Sequence, residues 1–220
     1  MKNFLLFSLI IITNSVTANV EVALNKLKPY FSDITTESIS SSKLDGFYEV
    51  VLTNPSIEVL YISFDGRYVI QGAVTDLELM TNLSLERINS EKINILNSID
   101  ENNKIVFKAE NEQHIIHVFT DVDCPYCAKL HANMQAMNAL GITVKYLAAP
   151  IAQLHPNAQS IMEKIWCAED KAIAMHNYKT NRYLPSSPDC INPVEAQLAI
   201  SKQLGVNGTP SIFLENGSNI

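Results

Sequence analysis

Residues 119–134 read FTDVDCPYCAKLHANM and place two cysteines, Cys124 and Cys127, at a change of secondary structure. Before them, HIIHVFTDV (114–122) is rich in β-branched and aromatic residues, which is typical of a strand. After them, segment 128–140 is rich in good helix formers. This stretch therefore predicts a strand that ends near Cys124 and a helix that begins directly after it.

The predicted helix start gives Cys124 the chemistry of a nucleophile. Pro125 suits the first helical position, because its missing N–H would have no partner there. The first main-chain N–H groups of a helix are unpaired and its dipole is positive at this end, so both favour a thiolate at Cys124. Cys127 lies one turn further in, and we expect it to attack a mixed disulfide formed at Cys124.

Two other interpretations, in which the cysteines are not catalytic, stay open at this point. A zinc site could combine Cys124 and Cys127 with Cys167 and Cys190, although zinc sites usually contain a second close pair. Alternatively, the CPYC pair could form an inert structural disulfide. The wide spacing of the other two cysteines disfavours zinc, and a strand-to-helix junction is an unusual place for an inert disulfide.

Composition and charge limit the class of protein. The chain has 220 residues, 47% hydrophobic and 18% charged, which indicates an ordinary globular protein with a buried core. The formal net charge is −7, and no cluster of lysine and arginine stands out. This balance argues against nucleic acid as a partner, because nucleic-acid-binding surfaces are basic.

The N-terminus has the layout of a secretory signal peptide. Within residues 1–18, Lys2 precedes the apolar run 4–12, and the segment ends in Val16-Thr17-Ala18. The run is shorter than the roughly 20 apolar residues of a membrane-spanning helix, which disfavours a retained anchor. Export would place all four cysteines in an oxidising compartment, where disulfides form.

We expect two modules joined by a helix. Residues 19–80 predict a small α+β module, in which a helix over 21–31 precedes strands in 47–54 and 58–74. Within 58–74, Asp65-Gly66 predicts a hairpin with a type I′ turn, because both central residues of that turn need positive φ. Residues 81–104 predict a linker helix with an apolar stripe formed by Leu85, Ile88, Ile95 and Ile99.

The second predicted module covers residues 105–220 and alternates strands with helices. Its predicted elements are a strand at 114–122, a helix at 125–140, a strand at 141–148, a helical region at 155–204 and a strand at 210–215. This alternation favours an α/β sheet with some parallel pairing. Thr209-Pro210 precedes the last strand and predicts a constrained turn, since X-Pro bonds alone adopt the cis isomer at low cost.

Taken together, these motifs resemble the thioredoxin-fold superfamily, and more closely the periplasmic disulfide isomerases of the DsbC/DsbG type. The resemblance covers nearly the whole chain after the signal peptide. It is carried by LTNPSIEVLYISFDGRYVIQG (52–72), FTDVDCPYCAKLH (119–131), GITVKYLAAP (141–150), IWCAEDKA (165–172) and QLGVNGTP (203–210). It implies an α+β N-terminal dimerisation module, a linker helix, and an α/β thioredoxin-like domain with a helical insertion.

The resemblance also implies roles for individual residues. Cys124 and Cys127 would be the catalytic pair, and Thr209 and Pro210 would form a threonine and cis-proline loop that contacts substrate beside Cys124. Cys167 and Cys190 would form a structural disulfide that holds the helical insertion. We expect the exposed ring of Tyr126 to contact substrate as well. Neither a cofactor nor a metal is expected.

Two departures from the family pattern matter. The dipeptide between the cysteines is Pro125-Tyr126, as in DsbG and glutaredoxins, whereas DsbC carries Gly-Tyr; the Cys167 and Cys190 pair favours DsbC. The chain also ends at LENGSNI (214–220), so we expect the family's C-terminal strand and helix to be missing.

Together with this resemblance, the sequence predicts a periplasmic thiol–disulfide isomerase and reductase whose substrates would be unfolded or misoxidised exported proteins. The resemblance also implies a homodimer and a membrane thiol reductant of the DsbD kind that would supply electrons. Two alternatives use the same thiols: a dithiol oxidase and a DsbG-like reductant of cysteine sulfenic acid. A third alternative, of another class, is a holdase chaperone whose thiols are incidental.

Four neighbouring side chains carry simpler expectations. We expect Asp121 and Asp123 to cap the helix that follows, because Asp before a helix is a common cap. We expect His131 on a solvated face of that helix, and Trp166 in the core.

Overall fold

The computed structural model describes residues 14–184 and 186–220, with side chains described from residue 20 onward. Most of the predicted signal peptide, residues 1–18, lies outside the described residues; helix α1 (Asn14–Leu27) begins within its last part. Within the described ranges, no helix has the length and apolar character that crossing a bilayer requires. The chain divides into two compact units, the first running to Leu52 with Glu58–Ser84, the second comprising Thr53–Ile57 and Leu85–Ile220.

The first unit packs α1 on an antiparallel sheet. Its four strands, in the sheet order β1-β2-β3-β4, are β1 (Ile39–Ser41), β2 (Phe47–Leu52), β3 (Glu58–Ser63) and β4 (Val69–Gln71). A two-stranded ribbon follows, formed by β5 (Thr75–Asp76) and β6 (Thr81–Asn82). The predicted helix is confirmed, although it ends at Leu27 rather than at residue 31, and both predicted strand segments contain strands. In α1, Ala23, Leu24 and Leu27 are buried in the core, whereas Val22 is exposed.

The hairpin between β3 and β4 is confirmed, but the predicted type I′ turn is wrong. Ile62 pairs with Val69, which leaves residues 63–68 in a longer connection. Gly66 has a positive φ of 70°, but Asp65 does not. Instead, the Asp65 carboxylate accepts hydrogen bonds from Ser63 Oγ at 2.6 Å and from the Arg67 main-chain N–H at 3.0 Å. The carboxylate organises this loop by hydrogen bonding to its own neighbours.

The helix between the two predicted modules is α2 (Leu83–Ser98), and a 3-10 turn follows at Glu101–Asn103. The predicted apolar stripe is only partly correct. Ile99 is buried, but Leu85 is half exposed, and Leu96, which the stripe omitted, is fully buried.

The second unit is built on a mixed sheet with the order β10-β8-β9-β7. Its strands are β7 (Ile105–Phe107), β8 (His114–Thr120), β9 (Ile142–Ala148) and β10 (Ser211–Phe213). The central strands β8 and β9 run parallel, while both edge strands are antiparallel to their neighbours. The predicted parallel pairing is therefore confirmed.

Besides α2, five further helices belong to this unit within the described residues. They are α3 (Pro125–Ala132), α4 (Met134–Ala139), α5 (Ala158–Trp166), α6 (Lys171–Asn181) and α7 (Val194–Gln203). The predicted helix at 125–140 is interrupted at Asn133, which has non-helical dihedral angles. The core includes β8, β9 and the inner faces of the helices, and Trp166 lies in it as expected, donating its indole N–H to the Asn103 carbonyl at 2.8 Å.

A disulfide joins Cys167, at the end of α5, to Cys190, in the segment before α7, with a Cα–Cα distance of 5.7 Å. The bond closes a loop that contains α6. At the edge of the sheet formed by β10, the chain turns back, and Ile220 exchanges two main-chain hydrogen bonds with Ile212.

Candidate active site

The CPYC segment follows strand β8 and lies at the N-terminus of α3. Cys124 is the N-cap, with extended dihedral angles (φ −68°, ψ 123°), and Pro125 is the first helical residue. The Cys124 carbonyl accepts the first helical hydrogen bond, from the Ala128 N–H at 3.0 Å. The Cys124 side chain therefore stands beside the unpaired N–H groups of the first turn.

The surroundings of Cys124 favour its ionised form. Burial alone opposes ionisation, since only 5% of the residue is exposed. The Thr209 hydroxyl, the main chain and thiol of Cys127, and the main chain of Tyr126 favour the thiolate; together they outweigh that burial and lower the pKa of the Cys124 thiol below its ordinary value. The helix N-terminus thus helps to lower the pKa of the Cys124 thiol through the main-chain N–H groups of Tyr126 and Cys127.

Cys127 has the opposite character. It is fully buried, and burial raises the pKa of its thiol. The Thr120 hydroxyl, the Asp121 main chain and the Lys179 cation favour the thiolate, but they offset only part of that effect. Both cysteines are free thiols. The pair is therefore asymmetric, with a thiol at the helix terminus that ionises readily and a buried thiol that ionises reluctantly.

The turn before β10 brings Thr209 to the cysteines. The Cys124 Sγ donates to the Thr209 main-chain oxygen at 3.2 Å. The Thr209 Oγ1 is buried and makes no hydrogen bond to the described residues, so it is available to donate to a thiolate. The Thr209-Pro210 peptide bond is cis. Tyr126, between the cysteines, is 71% exposed.

The expectation that Asp121 and Asp123 cap α3 is wrong, because other donors bind both carboxylates. The fully buried Asp121 carboxylate accepts from the N–H of Asp123 at 2.8 Å, from the N–H of Ile151 at 2.7 Å and pairs with His155 Nδ1 at 3.0 Å. Asp121 thereby links the loop after β8 to the segment after β9.

Helix α6 contacts the three residues that precede Cys124, which sequence reasoning did not detect. Tyr178 OH and Arg182 Nη1 donate to the Asp123 carboxylate at 3.0 and 2.7 Å. Arg182 Nη1 also donates to the Val122 carbonyl at 3.2 Å, and Lys179 Nζ donates to the Asp121 carbonyl at 3.0 Å. In each of these pairs the two residues are more than fifty positions apart in the chain, and no sequence motif in α6 predicts the contacts.

The expectation of a solvated His131 is also wrong. His131 is buried, with Nδ1 at 3.2 Å from Tyr146 OH and Nε2 at 3.0 Å from His176 Nδ1. Burial, with smaller effects of Lys179 and His176, lowers the pKa of His131 to about 4, so its ring is neutral at pH 7. The helix turns this face toward β9 rather than toward solvent.

A zinc site formed by all four cysteines conflicts with the structure, because Cys167 and Cys190 are joined to each other. Within the part of the chain that the structure describes, no group of three or more histidine, cysteine and acidic side chains could hold a metal ion.

Comparison with known proteins agrees with this architecture. Residues 14–84 match the family described as the N-terminal domain of disulfide bond isomerase proteins, and residues 101–220 match the thioredoxin-like domain family. A solved disulfide interchange protein from Neisseria gonorrhoeae shares 31% identity, with a TM-score of 0.52, over 56% of this chain and 86% of that chain. The catalytic domain of Proteus mirabilis ScsC shares the fold, with a TM-score of 0.51 and 14% identity over 61% of this chain and 88% of that one.

The whole chain also has curated relatives. The thiol:disulfide interchange protein DsbC of Escherichia coli (strain K12) is 37% identical over 222 residues, which cover 99% of this chain and 89% of that protein. The protein of the same name from Haemophilus influenzae is 33% identical, over 98% of this chain and 91% of that protein. The predicted fold class is confirmed by these matches, which include both domains in the predicted order. The chain therefore belongs to the DsbC family of thiol:disulfide interchange proteins.

Proposed function

We propose that the protein is a thiol–disulfide isomerase and reductase that rearranges non-native disulfides through Cys124 and Cys127. The observation that carries this proposal is the asymmetry of the pair, in which hydrogen bonding lowers the pKa of the Cys124 thiol and burial raises the pKa of the Cys127 thiol. Membership of a family whose relatives are named for thiol:disulfide interchange supports the same reaction.

The geometry supports a two-step exchange. The Cys124 thiolate attacks one sulfur of a substrate disulfide, forming a mixed disulfide and releasing the other sulfur as a thiolate. The mixed disulfide then resolves in one of two ways. A substrate thiolate attacks the substrate sulfur, which forms a new substrate disulfide and frees Cys124; alternatively, Cys127 attacks Cys124, which leaves the substrate reduced and the enzyme oxidised. The first route is isomerisation, and the second is reduction.

Residues other than the two reactive cysteines also have proposed roles. Thr209 would stabilise the thiolate by donating its buried hydroxyl, and the main chain at Thr209 and Pro210 would bind an extended substrate segment. The exposed ring of Tyr126 would contact apolar substrate side chains. The Cys167–Cys190 disulfide would be structural, since it holds the loop that contains α6.

We also propose the cellular setting and the domain roles. Residues 1–18 would be a signal peptide that directs the chain to the periplasm, and residues 19–80 would form the dimerisation domain of a homodimer. Residues 81–104 would link it to the catalytic domain at 105–220. A membrane thiol reductant of the DsbD kind would return the oxidised pair to the dithiol form, and unfolded or misoxidised exported proteins would be the substrates.

Reactivation of scrambled ribonuclease tests the proposed reaction. The reduced protein should restore ribonuclease activity without added oxidant, because isomerisation needs no net electron transfer. Cys124→Ser should abolish this activity, and Cys127→Ala should accumulate mixed disulfides at Cys124, which mass spectrometry detects. Reactivation that persists in Cys124→Ser would contradict the proposal and favour a chaperone whose thiols are incidental.

A further inference from the structure

Lys179, on α6, is a buried cation beside the active-site loop. Its ammonium donates to the Asp121 main-chain oxygen at 3.0 Å, and its Nζ lies 5.9 Å from the centroid of the Tyr146 ring. Across residues 20–184 and 186–220, no carboxylate lies within ion-pairing distance of this nitrogen. Burying an ammonium costs several kcal/mol unless a negative group offsets the cost.

The Asp121 carboxylate favours the charged form of Lys179 from a distance, but it makes no ion pair with the ammonium, because the donors described above bind both of its oxygens. Lys179 binds only the neutral carbonyl of the same residue. The main chain of Asp121 also favours the thiolate form of Cys127 and lowers the pKa of its thiol against the effect of burial. A single residue therefore connects the ammonium to the buried thiol, and α3 packs against α6.

Other charged and titratable groups surround Cys127 and Lys179. They are Asp121, Asp123 and Cys124 from the junction of β8 and α3, His131 from α3, Tyr146 from β9, His155 from the segment after β9, His176 from α6 and Arg182 directly after α6. Arg182 is paired with Asp123 at 2.7 Å, and buried His131 is neutral at pH 7 because burial lowers its pKa to about 4. Among the described residues Lys179 therefore makes no ion pair; burial lowers the pKa of its ammonium, and the Cys127 thiolate is the group that most favours its charged form.

We propose that Lys179 is a positioning residue for the resolving step, and that its positive charge stabilises the Cys127 thiolate as it attacks a mixed disulfide at Cys124. This inference rests on the proposed exchange reaction. In the step, the Cys127 thiol loses its proton and the thiolate attacks Cys124 Sγ. The Cys124–Cys127 bond forms, the bond from Cys124 to the substrate breaks, and the departing thiolate takes up a proton. Lys179 stays protonated throughout.

The position of Lys179 beside Cys127 affects how the mixed disulfide divides between reduction and isomerisation. Resolution by Cys127 competes with attack by a substrate thiol, and burial makes Cys127 a reluctant nucleophile. A nearby cation that favours the Cys127 thiolate limits the lifetime of mixed disulfides. Without the cation, trapped substrates should persist longer, which shifts the protein from reduction toward isomerisation.

Stopped-flow reaction of the reduced protein with one equivalent of 5,5′-dithiobis(2-nitrobenzoate) separates the two steps. The first release of thionitrobenzoate reports attack by Cys124, and the second reports attack by Cys127 on the mixed disulfide. In Lys179→Met, the first phase should stay within about twofold of the wild-type rate. The second phase should slow by at least about threefold at pH 7, with the midpoint of its pH profile raised by about one unit.

Three variants isolate the charge. Lys179→Arg should restore the second phase, and Lys179→Gln, which can keep the hydrogen bond to Asp121 without the charge, should be as slow as Lys179→Met. Lys129→Met is the matched control, because Lys129 is exposed on α3 close to Cys127 in sequence, and it should change neither phase.

The outcomes are separable. A second phase at the wild-type rate in Lys179→Gln would overturn the inference. This holds even where Lys179→Met unfolds, since Gln retains a polar partner for the buried Asp121 carbonyl. A wild-type protein that lacks the fast first phase would instead contradict the proposed function.

Discussion

The Sγ of Cys124 lies 3.2 Å from the main-chain oxygen of Thr209, although 85 residues separate the two in the chain. Sheet pairing explains the contact. Strand β10 pairs with β8, Ser211 opposite Phe119, so the turn before one strand meets the loop after the other. The reactivity of the sulfur therefore depends on the register of the sheet as well as on the helix that follows it.

Replacing Thr209 by valine should raise the pKa of the Cys124 thiol by about one to two units. A hydrogen bond to a charged group contributes about 1.5–3 kcal/mol, and one pKa unit corresponds to about 1.4 kcal/mol. Thiolate absorbance near 240 nm, followed during a pH titration of the reduced protein, measures the shift. Thr180→Val is the control, because Thr180 is exposed on α6. Identical titration curves for Thr209→Val and the wild type would contradict the role of the hydroxyl.

Removing the Cys167–Cys190 disulfide should destabilise the second unit. The bond closes a loop between residues 23 positions apart, and constraint of the unfolded chain by such a loop is worth about 3 kcal/mol. The variant Cys167→Ala/Cys190→Ala should therefore lose about 3 kcal/mol in the free energy of unfolding, measured by urea denaturation under non-reducing conditions. A loss below about 0.5 kcal/mol would show that the disulfide is not a structural constraint.

Protonation of His131 should destabilise the fold in acid. The unfolded histidine binds a proton near pH 6.5, whereas burial lowers the pKa of folded His131 to about 4. Between these pH values the unfolded state binds more protons, so the stability contributed by neutral His131 is complete above about pH 6.5 and is lost as the pH falls toward 4. The maximum loss is about 3 kcal/mol, since about 2.5 units separate the two pKa values.

His117 shares this behaviour, because burial, assisted by Lys104 and Lys145, lowers its pKa to about 4 as well. Thermal unfolding of His131→Gln at several pH values separates the contribution of His131 from that of His117. Its stability should decline less steeply from pH 6.5 to 4 than that of the wild type. Gln135→Ala, at an exposed position of α4 without a titratable group, should keep the wild-type slope. Parallel slopes for His131→Gln and the wild type would contradict a neutral, buried His131.

Local patterns predicted the elements around the active site because they depend on neighbours in sequence. The apolar and β-branched run of β8 and the proline after Cys124 were sufficient to predict the strand, the helix start and the position of the cysteine at its terminus. The DsbC/DsbG resemblance added the pairing of distant segments, which no local pattern contains.

The remaining features depend on tertiary contacts. Asp121 looked like a cap because of its place before a helix, but Ile151 and His155 bind its carboxylate in the folded chain. His131 looked solvated because a polar residue on a helix usually is, yet Tyr146 and His176 are its partners. Lys179 gave no signal at all, because its burial follows from the packing of α6 on α3.

The central claim is that hydrogen bonds converging on the Cys124 sulfur favour its thiolate at neutral pH. The most direct test is the rate of alkylation of the reduced wild-type protein by iodoacetamide across a pH series, with modification at Cys124 and Cys127 quantified separately by peptide mass spectrometry. The rate at Cys124 should reach half its maximum well below pH 8.5, the ordinary value for cysteine, and the rate at Cys127 well above it. A midpoint for Cys124 at about pH 8.5 or higher would contradict the account.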